Sequence, residues 1–357
     1  MHDPERRAEL LARIAGIRAR VGDFDEAKRN IDELRAIYGD GRSGVVTVSI
    51  NLAEGLVHHY RAFRPQALDR FTRAQVLSVA MRYSPGVALS SAWKANYHFE
   101  FEEYEEMTRC LLLAVQHVTE SDHDALTRLG MILFNAFTML GNKRAAQRWF
   151  LRTRDAALAN KDRSSVEALL YNKAAFSVTR ARVEHCLSPI APEELRSIRM
   201  DALSAKNYRD ISKLASLPEH LVLWDARLKI LEADYAGALT QLADIRGSDR
   251  FSDHNFSKAF IDLEIAYCQA MSGNLANAQA LPLDSADFAF ENFDVDEQLV
   301  AAWMKLKLSE LDANLLGRNI AQSTLDQCAE RYGAMMNRLA DQLTSFVDGL
   351  KPDSDKS

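Results

Sequence analysis

Glycine, proline and cysteine are scarce in this sequence, whose 357 residues include 15 Gly, 8 Pro and 4 Cys. So few helix-breaking residues, without a sustained alternation of apolar and polar side chains, disfavour a β-sandwich or β-barrel and predict a helical protein. The one short β-like run, 45–48, is expected to open a helix. The cysteines lie far apart without a Cys-x-x-Cys pair, which predicts neither a zinc site nor a disulfide framework.

Long apolar runs are missing as well. No stretch approaches the roughly 18 uninterrupted apolar residues of a membrane-spanning helix. The first residues, which include Asp3, Glu5, Arg6 and Arg7, lack the apolar centre of a secretory signal peptide. Together with cysteines that suit a reducing compartment, these absences predict a cytoplasmic protein with no membrane partner.

Sequence motifs of common enzymes are absent too. The sequence contains no glycine-rich phosphate loop, no Gly-x-Ser-x-Gly elbow and no His-Glu-x-x-His pair. Its net charge of −6 disfavours a general nucleic-acid binder, which usually has a basic surface. We therefore predict that the protein is not an enzyme, with no catalytic residue, no cofactor, no metal ligand and no nucleic-acid partner.

What the sequence does contain is a turn that returns about every forty residues. A small or polar residue at the turn is followed five places later by Ala or Met. The turn positions are Gly22, Ala62, Glu102, Gly141, Ala233 and Gly273. Because chance would hardly repeat this spacing along so much of the chain, the pattern predicts an array of similar units.

Two further columns of residues surround each turn. Seven residues before it stand Ala15, Gly55, Ala95, Phe134, Ala226 and Ala266, of which all but Phe134 are small. Nine residues after it stand Ile31, Phe71, Leu111, Phe150, Leu242 and Pro282, of which all but Pro282 are large and apolar. Small residues let two helices approach closely, so each unit is predicted to be a pair of packed helices.

Apolar spacing places the two helices of the first unit over about 5–21 and 24–38, with Gly39-Asp40-Gly41 ending the unit. The expected core residues are Leu10, Leu11, Ile14 and Ile17 in the first helix, and Ala27, Ile31 and Leu34 in the second. The first helix of the fourth unit is apolar nearly all round, which predicts that its neighbours bury it.

A small residue in a first helix, a Gly-Asp or Gly-Asn turn, and Ala followed by a large apolar residue in a second helix resemble the tetratricopeptide repeat superfamily. The family unit is about 34 residues, and the longer unit here resembles variants found in bacterial regulators and adaptors. The resemblance covers about 8–160 and 217–285. It implies an all-α fold, a right-handed α-solenoid of helix-turn-helix repeats with a C-terminal capping helix.

The register of the repeat divides the chain into five segments. They are an array of about four repeats (1–160), an irregular helical unit (161–216), a second array of about two repeats (217–290), a C-terminal helical cap or dimerisation element (291–350) and a disordered tail (351–357). In the irregular unit, Pro189 and Pro192 cannot lie inside one helix, and we expect only short helices after them.

The last helix carries a narrow apolar seam on alternating three- and four-residue spacing. Its residues are Leu325, Cys328, Tyr332, Met335, Leu339 and Phe346, with Gln342 as the one polar member. The favoured prediction is a cap packed on the final repeat, because terminal repeats otherwise expose apolar surface. A weak homodimer through 325–346 is the alternative.

In the tetratricopeptide family the first helix of each pair lines a concave groove. Six residues before the turn, consecutive middle repeats place Asn96 and Asn135, where family members often bind a peptide backbone. An Asn side chain both donates and accepts, which matches a peptide unit. The same inferred face includes Trp93, His59, Arg128 and Thr138. The resemblance implies a peptide- or partner-binding site at these six residues, and the alternative is that they are solvated or bonded to neighbours.

Two charged features complete the prediction. Leu52 and Ala92 stand where the family's carboxylate clamp needs lysines, so that clamp is predicted to be absent. A basic stripe on the second helix of the fourth unit suits phosphate or an acidic partner. It comprises Lys143, Arg144, Arg148 and Arg152, with Trp149 beside them. The favoured alternative is a solvated stripe, or one that faces an acidic turn in the preceding repeat. That turn contains Glu102, Glu103, Glu105 and Glu106.

Together these features predict an adaptor or scaffold that binds a protein or peptide segment in its concave groove, without catalysis of its own. Two alternatives stay open. One is a peptide-sensing regulator that acts through a partner protein, and the other is a regulatory subunit of an enzyme encoded nearby.

Overall fold

The computed structural model describes residues 4–38, 43–62, 65–212, 218–248, 257–279, 293–311 and 315–350. Within these segments the chain forms sixteen α-helices and no strand, which confirms the all-α prediction, and the run 45–48 lies inside a helix as expected. None of the described helices combines the length and the apolarity that crossing a membrane requires.

The first eight helices form four consecutive pairs. They are α1 (Pro4–Arg20), α2 (Phe24–Tyr38), α3 (Gly44–Ala62), α4 (Pro65–Ala80), α5 (Ser84–Glu100), α6 (Tyr104–His117), α7 (His123–Met139) and α8 (Lys143–Ala159). The helices that follow are α9 (Arg163–Leu187), α10 (Pro192–Ser212), α11 (Pro218–Leu231), α12 (Tyr235–Arg246), α13 (Lys258–Met271), α14 (Leu275–Gln279), α15 (Val295–Leu311) and α16 (Leu315–Gly349).

The described residues divide into two compact units. Unit 1 contains the residues up to Leu169 together with 338–350, and unit 2 contains most of the remainder, from Leu170 to Asn337. Because α9 and α16 each contribute to both units, the unit boundaries lie inside helices. The five segments read from the repeat register stay a prediction.

Left-handed backbone marks the end of seven helices. The residues with positive φ, between 55° and 88°, are Gly22, Arg82, Glu102, Gly141, Lys161, Ala233 and Gly273. At each, two consecutive amides close the helix, as where Gly22 N donates to Ala19 O (3.1 Å) and Asp23 N to Arg18 O (2.9 Å). Five of the six predicted turn positions therefore adopt one conformation, and the sixth, Ala62, precedes residues outside the described segments.

The residue after the left-handed one is the N-cap of the next helix. Asn142 Oδ1 accepts from Ala145 N (3.1 Å), and Asp234 Oδ1 accepts from Gly237 N (3.0 Å). These side chains satisfy an amide that the first turn of a helix otherwise leaves without a partner. A connector of about three residues thus ends one helix and caps the next, which makes the two helices antiparallel neighbours.

Small residues let the paired helices touch. The five small residues predicted seven places before the turns lie in the interior, and a Cβ built on Gly55 would collide with the Phe71 ring of the same pair. Successive first helices α1, α3, α5 and α7 also pack on one another, and a Cβ on Gly16 would lie 2.6 Å from Leu56 Cδ1. This consecutive packing of neighbours is compatible with a helical repeat.

The expected core face of α1 was wrong for three of its four residues, and only Leu11 packs partly buried against the core. Leu10, Ile14 and Ile17 are 37–51 % exposed, and the buried face is instead a stripe of alanines. That stripe consists of Ala8, Ala12, Ala15 and Ala19. Alanine lets α1 approach α2 and α3 closely, and the large side chains are displaced to the opposite face. The predicted burial of Ala27, Ile31 and Leu34 in α2, and of α7, is confirmed.

The region after α8 also differs from expectation. The chain leaves α9 at Leu187 and starts α10 at Pro192, which confirms that the two prolines do not share a helix. However, α10 has 21 residues, so the expectation of only short helices was wrong. Proline suits the first turn of a helix because the amide it lacks would have no partner there.

Several predicted features lie outside the described residues. They are the chain end of the first unit at Gly39-Asp40-Gly41, the break at Pro282 and the tail 351–357.

The seam of α16 is buried within the chain. Its buried residues include Leu325, Cys328, Met335, Leu339, Leu343 and Phe346. Leu325 and Cys328 pack in the core of unit 2. In unit 1, Thr108 Oγ1 in α6 donates to Gln342 O (3.4 Å). One chain therefore covers the seam, and a homodimer through 325–346 stays a prediction.

Replacing Phe346 with Ala is expected to lower the free energy of unfolding by about 3–5 kcal/mol, because a fully buried ring leaves a cavity. The neighbouring Val347 is 45 % exposed, so Val347→Ala is a matched control with an expected change under about 0.5 kcal/mol. Urea unfolding followed by circular dichroism measures both. Equal effects of the two substitutions would contradict the packing of α16 in unit 1.

Candidate functional site

The first helices of unit 1 line a cavity of 640 Å³. Its wall comes from α1, α3, α5 and α7, and from the connectors before α7 and after α8. A volume between about 300 and 1,000 Å³ is typical of pockets that bind small ligands. The cavity is therefore the candidate binding site.

Apolar side chains form much of the wall. They are Leu10 and Ile17 from α1, Leu52 and Leu56 from α3, and Leu89 and Trp93 from α5. The last four also pack together in one apolar cluster. The exposure of Leu10 and Ile17 thus has a structural explanation, since both contribute an apolar surface to the cavity.

Tyr60 joins two arginines beside this wall. Its phenol oxygen accepts from Arg20 Nε (3.2 Å) and from Arg128 Nη2 (3.3 Å). Burial alone would raise the pKa of Tyr60, but the two guanidinium groups outweigh burial and lower it. The phenol is therefore a polar link between α1 and α7.

Arg20 ties α1 to the start of α9. Its Nη1 donates to Ser164 Oγ (2.8 Å) and Ser165 Oγ (2.8 Å), and it lies 3.3 Å from Asp162 Oδ2. Burial would raise the pKa of Asp162, yet the attraction of Arg20 and the hydrogen bonds from both serines hold it far below its ordinary value. Asp162 is thus a firmly ionised anchor for α1.

A second arginine makes a similar tie. Arg13 Nη2 lies 3.5 Å from Asp124 Oδ1 and 3.5 Å from the carbonyl oxygen of Asn160. The first helix of the chain is therefore bonded to residues that flank the fourth helix pair, all within unit 1. These ties bound the cavity on one side.

Four of the six predicted site residues come together. Arg128 Nη1 donates to Asn96 Oδ1 (3.2 Å), and the Asn96 Nδ2 lies 3.5 Å from His59 Nε2. The Arg128 guanidinium stacks 3.6 Å from the centre of the Trp93 ring, and His59 packs edge-on against Trp93. Only Trp93 and Arg128 of these four line the cavity.

The other two predicted residues, Asn135 and Thr138, are in α7. Asn135 is 2 % exposed, and Thr138 Oγ1 donates to Phe134 O (2.8 Å) in its own helix. Asn96 is equally enclosed, at 4 % exposure. The two asparagines thus lie in the interior of unit 1 and do not present free amides to the cavity.

His59 is a neutral member of the cluster. Burial, followed by the neighbouring charge of Arg128, lowers its pKa to about 3. It therefore adds no positive charge at neutral pH, and its part is to pack against Trp93 and face Asn96.

Sequence reasoning missed Arg20, Tyr60 and Asp162. Arg20 and Tyr60 occupy the same place in consecutive units, two residues before the turns at 22 and 62. The polar pair at this position in the first two units was the available signal for them. Asp162 follows a left-handed residue at 161 and precedes two serines, which is the pattern of a helix cap.

The basic stripe of α8 lies on the surface. Lys143, Arg144, Arg148 and Arg152 are exposed, and Arg152 lies over the Trp149 ring at 5.3 Å. The acidic turn has nearer partners, because Glu105 and Glu106 pair with Arg109 and Glu103 pairs with His98. These three carboxylates are therefore engaged within their own helix pair.

Unit 2 holds a different buried cluster of charges. Glu264 is fully buried and accepts from Arg182 Nη2 (2.6 Å) and Arg227 Nε (2.9 Å), while Glu297 lies 3.6 Å from Arg227. Both guanidiniums also lie near the Phe260 ring. Each buried arginine of this cluster has a carboxylate partner, as buried charges require.

Metal ligands do not gather within the described segments. No three His, Cys, Asp or Glu side chains come together there, and Cys110, Cys186, Cys268 and Cys328 are all free thiols.

No model of a known protein family matches this sequence, and no curated protein matches it. The feature that indicates a function is therefore the cavity of unit 1, with the residues around it.

Acid is expected to weaken unit 1 through Asp162. A carboxyl whose folded-state pKa is depressed contributes stability that is present above its unfolded value, near 3.8, and lost as the pH falls toward the folded value. At pH 7, Asp162→Asn should lower the free energy of unfolding by about 2 kcal/mol, because Arg20 loses a charged partner. This difference from the wild type should shrink as the pH falls from 5 to 3.

The control for this experiment is Asp155→Asn. The side chain of Asp155 is 65 % exposed and pairs only with the neighbouring Arg154. Its variant should keep the pH dependence of the wild type. Melting curves at several pH values decide the matter, and parallel curves for wild type and Asp162→Asn would show that the Arg20 tie is not formed in solution.

Proposed function

We propose that this protein is a tetratricopeptide-like α-solenoid, with no catalysis of its own, that binds a short peptide segment in the cavity of unit 1. The carrying observation is that α1 places Leu10 and Ile17 in the wall of this cavity, while its alanines form the face that packs in the core. Partly exposed apolar side chains that line one concave pocket are typical of a binding site.

The recurring turn supports the solenoid part of the proposal. Most of the helix pairs share a left-handed terminator, an N-cap position after it and a small residue at the helix contact. Their first helices pack in series. Units of this kind bury their apolar faces only by stacking, and stacking in one direction produces a solenoid.

The wall of the cavity supports a peptide as the ligand. It combines apolar side chains with a few fixed polar groups, which is the usual composition of a recognition pocket. The ties from Arg13 to Asp124 and from Arg20 to Asp162 bound it, so a short or terminal segment fits better than a long extended one. This favours recognition of a brief peptide over a scaffold groove that holds a long partner.

The biological use follows from the same ties. A ligand that contacts both α1 and α7 would stabilise or strain the hydrogen bonds and ion pairs between them. It would thereby change the surface that unit 1 presents to a partner protein. We therefore propose a regulator or adaptor that acts through another protein. A cytoplasmic location, a bacterial source and the lack of a nucleic-acid partner stay predictions from the sequence.

Selection of peptides on the full chain tests the proposal. A phage-displayed random hexapeptide library is selected on the wild-type protein, and the enriched peptides are measured by fluorescence polarisation. Replacing Leu10 and Ile17 together with Glu should weaken binding by at least about tenfold, because it places charge in an apolar wall. Both side chains are partly exposed, so the fold should persist.

Ile37→Glu is the matched control. Ile37 lies on α2 with 49 % exposure and does not line the cavity, so this substitution should leave peptide affinity unchanged. The proposal fails if no peptide is enriched, or if enriched peptides bind the cavity variant and the control equally well.

A further inference from the structure

Arg128 stands out among the buried charges of the protein. It is 9 % exposed, lies in the wall of the cavity, and forms no ion pair with any carboxylate of the described residues. Its three neighbours, Asn96, Tyr60 and the Trp93 ring, carry no full negative charge. The buried arginines of unit 2, Arg182 and Arg227, both have Glu264 as a partner.

Arg128 is the cation of this cluster that lacks a carboxylate partner. Arg20 is matched by Asp162 and Arg13 by Asp124, while His59 is neutral. Burial and the repulsion from Arg20 lower the pKa of Arg128, although Tyr60 and Asp162 attract its charge.

An arginine cannot escape this cost by losing its proton, because its ordinary pKa lies above 12. Buried charges are otherwise paired, and a protein can keep one unpaired where an incoming group completes the pair. The guanidinium has five N–H groups, and Nη1 and Nη2 each use only one of their two in the bonds to Asn96 and Tyr60. Donors are therefore left over for a ligand.

The residue before Arg128 also indicates that a ligand binds here. Thr127 also lines the cavity, is 4 % exposed, and its Oγ1 has no hydrogen-bond partner among the described residues. The Arg128 Nε atom likewise has no partner there. Buried polar groups of this kind are rare, and two on adjacent residues point to a ligand that completes them.

We propose that the ligand of this cavity carries one carboxylate, which pairs with Arg128, attached to an apolar group that contacts Leu10 and Ile17. The inference rests on the proposed function and names the chemistry of its peptide. One guanidinium without a carboxylate partner calls for one anionic group, and Asp122 and Asp124 in the same wall disfavour a more highly charged phosphate.

The carboxylate has two possible sources in a peptide, the free C-terminal end and an acidic side chain. The shared chemistry is a planar anion, for which the guanidinium offers two parallel N–H donors. Arg128 supplies this pair of donors beside the apolar wall that Leu52 and Trp93 help to form.

Stability of the ligand-free protein gives the first test. Arg128→Met removes a charge that has no partner, so the melting temperature should stay level or rise. Arg20→Met leaves Asp162 buried without its partner, so the melting temperature should fall by several degrees. If Arg128→Met lowers the melting temperature as much as Arg20→Met does, Arg128 is a structural residue and the proposal is overturned.

Matched peptides give the second test. Three N-acetylated hexapeptide pools are compared by thermal shift: one with an apolar last residue and a free carboxyl end, the same pool amidated, and the amidated pool with one Asp. Carboxylate-bearing peptides should bind the wild type about tenfold more tightly than neutral ones. The free-end pool and the Asp pool then identify the source of the carboxylate.

Arg128→Met should abolish this preference, whereas Arg61→Met should keep it, because Arg61 is exposed on α3 and does not line the cavity. Equal binding of charged and neutral pools would overturn the inference and leave the proposed function standing. Hexanoate, a carboxylate on an apolar chain, is tested as a fourth probe. A rise in melting temperature with hexanoate but with no peptide pool would keep the anion site and overturn the peptide function. No shift with any of these probes would overturn both.

Discussion

Seven helix ends in the described segments share one backbone geometry, and the packing of the helix pairs depends on it. A residue in the left-handed conformation stops the helix, the two amides at that point bond to carbonyls of the last turn, and the next residue stands at the N-cap position of the following helix. The connector is then too short for any arrangement except an antiparallel pair. Arg82, Glu102, Lys161 and Ala233 accept this backbone without being glycine, at a cost of roughly 1–2 kcal/mol each, which packing of the pairs must offset.

From this constraint follows the position of the cavity. Pairs of equal design place α1, α3, α5 and α7 side by side, so one face of each looks into a common space. Alanines and Gly55 fix the distance between helices, and they leave the large residues of α1 on the far side of the core. Arg13 and Arg20 then bond α1 to residues beside α7 and α9, which turns an array of helices into a bounded pocket.

Much of this architecture could be read from the sequence, because it depends on local chemistry that recurs. The turn positions, the small residues before them and the helix pairs follow from spacing alone. Contacts between units that are distant in sequence could not be read in this way. Arg20 in α1 contacts Asp162, which lies 142 residues later in the sequence, and no local sequence pattern encodes such a contact. The core face of α1 was predicted wrongly for a related reason. Hydrophobicity favours Leu10 over Ala8 as a buried residue, whereas close approach of two helices favours the smaller Ala8.

Amide hydrogen exchange can show whether the first helices of unit 1 bind a peptide. The full chain is labelled with and without a peptide selected on it, and protection is resolved by segment. We expect the bound peptide to slow exchange in α1, in α7 and in residues 160–165. These segments line the cavity, and the ion pairs of Arg13 and Arg20 join them. Protection confined to the exposed face of α8, or to 218–248, would contradict this expectation.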